Sequence, residues 1–123
     1  MTRTVDLVIV GMTAAGRAAA IDAARGGGRV LVVDKSGDKS YCQALRRSIK
    51  TACDGCRQRV SMLTGVEVLW VDGTSAIEVV LLRQIKTGRL IGINTGAVLL
   101  TTALPAGVIA PILRVQVLQG NAG

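Results

Sequence analysis

The sequence predicts an α/β fold: a parallel sheet flanked by helices, with a small inserted β-meander. Two apolar runs, Val5–Val10 and Val30–Val33, bracket an alanine-rich helical stretch, Arg17–Arg25. Glycines punctuate the joints, with Gly11-Met12-Thr13-Ala14-Ala15-Gly16 before the helix and Gly26–Gly28 after it. Val66–Val71 reads as a third strand, and from Ala76 onward short apolar segments alternate with turn signals, the pattern of a meander. The 123 residues are expected to form one domain, 1–123, long enough for a single core.

Each joint has a physical reason. Val8, Ile9 and Val10 do not alternate with polar residues, which suits a parallel strand buried on both faces. Gly11 suits a tight exit from that strand. Ala14, Ala15 and Ala18 are small enough for a helix to start beside the sheet, and Gly16 lets helix and strand approach closely. The unbonded N–H groups of that first turn, reinforced by the helix dipole, favour an anion. The second run ends on Asp34, 18 residues after Gly16, near the interval at which an acid meets a ribose. Together these make a Rossmann-like unit for the pyrophosphate of a dinucleotide. The turn reads Gly11-x-Thr13-x-x-Gly16, so a threonine stands at the glycine that normally admits the pyrophosphate to the backbone. That change weakens or reshapes binding.

The segment DLVIVGMTAAGRAAAIDAARGGGRVLVVDK resembles the N-terminal FAD-binding segment of the FAD-dependent oxidoreductases related to fumarate reductase and glutathione reductase. One branch of that superfamily writes its turn Gly-Gly-Thr-Pro-Ala-Gly, close to the version here. The resemblance implies FAD rather than NAD as cofactor. It places Gly11, Met12, Thr13, Ala14, Ala15 and Gly16 at the pyrophosphate and Asp34 on the adenosine ribose. Lys35 falls beside the adenine edge or a phosphate. TGVEVLWVDGTSAIEVVLLRQIKTGRLIGINTGAVLLTTALP is similar in shape to the family's later strands and meander. Two departures stand out. Gly37 is alone where the family commonly has Gly-Gly, and the last strand ends Thr101-Thr102-Ala103 without the usual glycine.

Between these regions, Tyr41–Leu63 reads as one helix or a broken pair. Ala44, Leu45, Ser48, Ile49, Ala52 and Cys53 fall on one face, and Arg46, Arg47, Lys50, Arg57 and Arg59 on the other. The basic face reads as solvated rather than as a nucleic-acid grip. Cys53 and Cys56 have C-x-x-C spacing, with Cys42 eleven residues before Cys53. Such a pair can be a redox dithiol or half of a zinc site. With three Cys and no His, only a carboxylate could complete four zinc ligands, so no metal is expected. Reduced, half-buried cysteines are the preferred reading.

Strands are expected at Val66–Val71, Ala76–Ile85, Leu90–Ile93 and Ala97–Leu100, with a hairpin turn at Lys86-Thr87-Gly88-Arg89. Leu90–Leu113 runs 24 residues without a charge, a length that can span a membrane. Asn94, Thr95, Thr101 and Thr102, three glycines, Pro105 and Pro111 favour strands and loops instead. Pro105, Gly107 and Pro111 should break the tail, Val115–Leu118 should add an edge strand, and the last five residues should fray.

Composition narrows the function. The absence of His removes His-based acid–base chemistry and the commonest metal ligand. The net charge of +7 is spread rather than interleaved with aromatics, which argues against a nucleic-acid partner. Met1–Thr4 is a short polar start without the layout of a signal peptide, so a cytoplasmic location is expected. The flavoenzymes that the sequence resembles are several times longer. Three roles follow: an FAD (ADP-moiety) binding domain or small subunit of an oxidoreductase, completed by a partner or missing domain; a non-catalytic oligomeric or assembly protein that kept the fold without cofactor; or a small thiol-redox protein using Cys53 and Cys56. With 50% apolar residues, a homo-oligomer or a larger partner subunit is expected.

Overall fold

The computed structural model describes residues 2–36, 39–53, 55–73, 78–101 and 115–117. They form three layers: two helices, a five-stranded parallel sheet and a four-stranded mixed sheet. The parallel sheet contains β2 (Leu7–Val10), β3 (Val30–Asp34), β4 (Val60–Thr64), β8 (Val98–Leu100) and β9 (Val115–Val117), in the order β4-β3-β2-β8-β9. The mixed sheet contains β1 (Thr2–Val5), β5 (Val66–Gly73), β6 (Glu78–Gln84) and β7 (Leu90–Thr95), in the order β1-β7-β6-β5. Helix α1 (Ala14–Arg25) connects β2 to β3, and α2 (Lys39–Ala52) with a short 3-10 turn (Cys56–Gln58) connects β3 to β4.

Both faces of the parallel sheet are buried, as its continuous apolar runs require. Val8, Val10, Leu31, Val33, Val98 and Leu100 meet Val66, Val71, Val80, Leu82 and Ile93 of the mixed sheet. On the opposite face, Ile9, Val30, Val32 and Leu99 pack against Ala20 and Ala24 of α1 and Leu45 and Ile49 of α2. The helices thus cover one face, and the meander covers the other rather than flanking the sheet as a minor insert. With no Phe, this core is built from branched aliphatic side chains.

The first apolar run is two strands rather than one. Asp6 interrupts it: the N–H groups of Asp6 and Leu7 both donate to the Arg29 carbonyl, and the Asp6 carboxylate accepts the Arg29 N–H at 2.7 Å. The chain therefore bends out of the mixed sheet and into the parallel one. Residues 2–4, expected to be a polar start, belong to β1, parallel to β7. The register β1–β7 pairs Thr2 with Gly92 and Val5 with Thr95, and β2–β8 pairs Val8 with Val98 and Val10 with Leu100. Both ladders keep the same sequence offset, so they are one long parallel ladder bent where Asp6 meets Gly96. At that bend a Cβ on Gly96 would stand 3.2 Å from the Asp6 carbonyl oxygen.

Tyr41–Leu63, expected as one helix or a broken pair, is a helix, a 3-10 turn and a strand. The helix ends at Ala52, and Val60–Thr64 forms β4, paired with β3. Val66–Gly73 is accordingly not the next parallel strand but the first of the meander, antiparallel to β6. The hairpin turn at residues 86–89 and the strands on either side of it are found as expected. The first part of the uncharged stretch from Leu90 is strand, and among the described residues no helix is long and apolar enough to cross a membrane. Gly37, the Thr102-Ala103 ending, the proline breaks and the last five residues lie outside the described residues.

Leu31 is fully buried between the two sheets. Leu31→Ala is expected to destabilise the fold by about 2–5 kcal/mol, read as a lower urea midpoint with unchanged slope. A midpoint equal to that of the parent would show that the two sheets do not share this core.

Candidate functional site

The order of the parallel sheet locates the site. From β2 the chain steps outward to β3 and β4, then returns to the other side of β2 with β8. The strand order therefore reverses between β2 and β8. Ligands of open parallel sheets bind at such a reversal, beyond the carboxyl ends of the strands. The turn from Gly11 to Gly16 occupies that place.

Its geometry follows from small residues. Gly11 has φ 111°, a conformation that residues with side chains rarely adopt, and its N–H donates to the Val33 carbonyl at 2.8 Å. A Cβ on Gly16 would stand 2.5 Å from the Gly11 carbonyl oxygen and 3.3 Å from Cγ2 of Ile9. Only glycine permits this approach of α1 to β2. Thr13 is the N-cap of α1, its hydroxyl accepting the Gly16 N–H at 3.0 Å. The two helical residues between them, Ala14 and Ala15, are exposed, and their N–H groups precede the helix's own hydrogen-bond ladder.

Asp34 closes the site from the end of β3. One carboxylate oxygen accepts the Met12 N–H at 2.8 Å, and the other accepts the Ser36 N–H at 2.9 Å. The acid is half-buried, and each oxygen retains a lone pair for a further donor. The expected residues Gly11, Met12, Thr13, Gly16 and Asp34 are thus joined by direct contacts. Met12 enters through its backbone alone. Its side chain is buried beneath the turn, with Sδ 3.9 Å from the thiol sulfur of Cys42. Lys35 is exposed beside Asp34.

In the sequence, Thr101 is only part of an ending that lacks glycine. In the structure it holds the turn from the other side. The Thr101 N–H donates to the Val10 carbonyl at 2.9 Å, and its buried hydroxyl lies 2.8 Å from the same oxygen and 3.2 Å from the Gly11 carbonyl. The signal lay in the strand pattern: two parallel neighbours that end level bring together the residues just after them.

Farther along the carboxyl ends, Thr64 is the register partner of Asp34, and a hollow of about 270 Å³ beside it is lined by Cys42, Gln43, Arg46, Met62 and Thr64. Cys53 and Cys56 are joined as a disulfide, not held as free thiols, which corrects the preferred reading; Cys42 is free.

No family model and no curated protein matches the sequence. The architecture is matched among solved structures. It is similar to L-proline dehydrogenase from P. horikoshii, with a TM-score of 0.64 and 17% identity over 83% of this chain and 23% of that one. It is also similar to the flavin-dependent monooxygenase PieE, solved with FAD and substrate, with a TM-score of 0.61 and 12% identity over 78% of this chain and 30% of that one. T. acidophilum thioredoxin reductase gives a TM-score of 0.57 and 24% identity over 85% of this chain and 38% of that one. The described residues thus share a Rossmann-like α/β fold with these three structures, of which PieE was solved with FAD. This chain spans roughly a quarter to two-fifths of the length of these three structures.

Two substitutions probe the turn. Thr13→Ala removes the cap and should cost about 1 kcal/mol of stability. Gly16→Ala forces a methyl against a backbone carbonyl and should cost more, roughly 1–3 kcal/mol. Thermal denaturation checks both, and the reverse order would place the helix start farther from the sheet than described.

Proposed function

We propose that this chain binds the ADP moiety of FAD as part of a flavin-dependent oxidoreductase. The observation that carries the reading is the Asp34 carboxylate, held by the Met12 N–H at the point where the strand order reverses. That bond sets a ribose acceptor next to a glycine-bounded turn that opens a helix. The pyrophosphate would lie on Ala14 and Ala15, whose methyl side chains leave the backbone accessible. The ribose hydroxyls would donate to Asp34, and the adenine would extend over Thr64 toward the hollow beside α2. Lys35 supplies positive charge at the same edge. The residues present fit the group, since the exposed Ala14 and Ala15 leave the first N–H groups of α1 open and the half-buried Asp34 carboxylate lies at the same edge. PieE, whose structure contains FAD, shares this fold and supports the assignment.

Bound FAD would supply the two-electron chemistry. This chain's own residues would bind and orient the nucleotide end, and groups from another domain or a partner subunit would present substrate to the flavin. Trp70, Val79 and Leu90 are exposed on the meander strands and offer apolar surface to such a partner or to a second copy.

A second reading is a scaffold that kept the fold without the cofactor. The Thr13 hydroxyl favours it, because it already occupies the Gly16 N–H that would otherwise face a phosphate.

Absorbance of the purified protein, followed by FAD and ADP titration, separates the two. The binding reading expects flavin bands or saturable affinity. It also expects Asp34→Ala to weaken that affinity by about tenfold or more, the scale of a hydrogen bond to a charged group. Binding unchanged in a folded Asp34→Ala protein would remove Asp34 from the site. No affinity for either nucleotide would leave the scaffold reading.

A further inference from the structure

The Cys53–Cys56 disulfide lies at the opposite end of α2 from the nucleotide turn. Its Cα atoms are 5.4 Å apart, and its two sulfurs have unlike surroundings. Cys53 follows the last residue of α2 and is partly exposed, whereas Cys56 is fully buried in the helix-side core with Leu45, Ile49 and Val60. We propose that the pair is a dithiol–disulfide exchange centre, with Cys53 the sulfur attacked by an external dithiol and Cys56 the enclosed sulfur that restores the bond.

Three observations support exchange over a purely structural bridge. Only two residues separate the cysteines, and a loop so short constrains the unfolded chain least, so the bond adds little as a staple. The Arg25 guanidinium donates to the Ala52 carbonyl at 2.9 Å, placing positive charge at the end of α2, where the helix dipole would otherwise oppose a thiolate on Cys53. Competing pairing is blocked by distance. Cys42 lies eleven residues earlier, about 16 Å along the helix by its rise per residue.

The exchange balances without any other cofactor. A thiolate of the external dithiol attacks Sγ of Cys53. A bond forms between those two sulfurs while the Cys53–Cys56 bond breaks, its electron pair passing to Cys56, which takes up a proton. The second thiol of the reagent then attacks the mixed disulfide, leaves as the oxidised reagent and releases Cys53, which is protonated in turn. The protein gains two electrons and two protons, and the dithiol loses them. This inference does not depend on nucleotide binding.

The test places the full chain in glutathione buffers of graded ratio, traps thiols by alkylation and maps them by mass spectrometry, with circular dichroism to confirm the fold. The pair is expected to pass reversibly from oxidised to reduced within the series. In partly reduced protein given limiting alkylating agent, Cys53 should be modified before Cys56. In single variants, the Cys53 thiol of Cys56→Ser should react with oxidised glutathione at least about tenfold faster than the Cys56 thiol of Cys53→Ser, because access controls the rate. A pair that never forms, that stays oxidised in the most reducing buffer, or whose sulfurs react equally or in the opposite order overturns the proposal.

Discussion

The gap between the Gly11 carbonyl oxygen and the α-carbon of Gly16 governs the structure. A single added methyl group would close it to 2.5 Å. Because the gap stays open, α1 starts against the end of β2 and its first N–H groups face the carboxyl edge of the sheet. From there the helix lays Ala20 and Ala24 over Val30 and Val32. Its far end is fixed by an arginine, since the Arg59 side chain donates to the Ala24 carbonyl at 3.0 Å. The basic residue thus adds a second donor, beside the Gly27 N–H, to a carbonyl at the negative end of the helix.

Around that gap, two segments distant in sequence and the turn's own threonine hold one turn. Asp34 takes its amide at Met12, Thr13 caps the helix from within, and Thr101 binds its carbonyls from the neighbouring strand. None of these groups spends its bonds on packing; each bonds a polar backbone atom at the change of direction, the Thr101 hydroxyl joining its own N–H on the Val10 carbonyl and reaching the Gly11 carbonyl. The result is a rigid, polar lip on an aliphatic body. A lip that is already hydrogen-bonded needs little reordering to receive a ligand, which is the condition for binding without a large entropic penalty.

Much of this was legible in the sequence, and the exceptions have physical causes. The first strand, turn, helix and acid could be read because each obeys a local rule about glycine, apolar runs or helix starts. β4 was hidden because Val60–Thr64 carries two polar residues and follows a basic amphipathic helix whose period seemed to continue through it. β1 was hidden because an edge strand beside β7 needs no apolar run, so Thr2–Thr4 reads as a polar start and Val5 as the head of the next run. Thr101 gave no local signal at all, since its role exists only when β8 lies beside β2. The disulfide is similar: C-x-x-C spacing permits a bond, but only the turn after α2 decides whether the sulfurs meet.

The bent ladder joining β1–β2 to β7–β8 has a consequence for how the chain reaches this state. Every rung ties a residue near the amino terminus to one 90 positions later, as Val8 to Val98. Contacts of such long range are slow to form, because the intervening chain must lose its freedom before they reward it. During synthesis β2 can meet β3 early, but its other edge has no neighbour until residue 98 emerges. For that interval Val8, Ile9 and Val10 present an unpaired border with apolar side chains on both faces, the kind of strand that adheres to another chain. The central position that buries β2 between two neighbours in the finished molecule leaves one of its edges open in the growing chain.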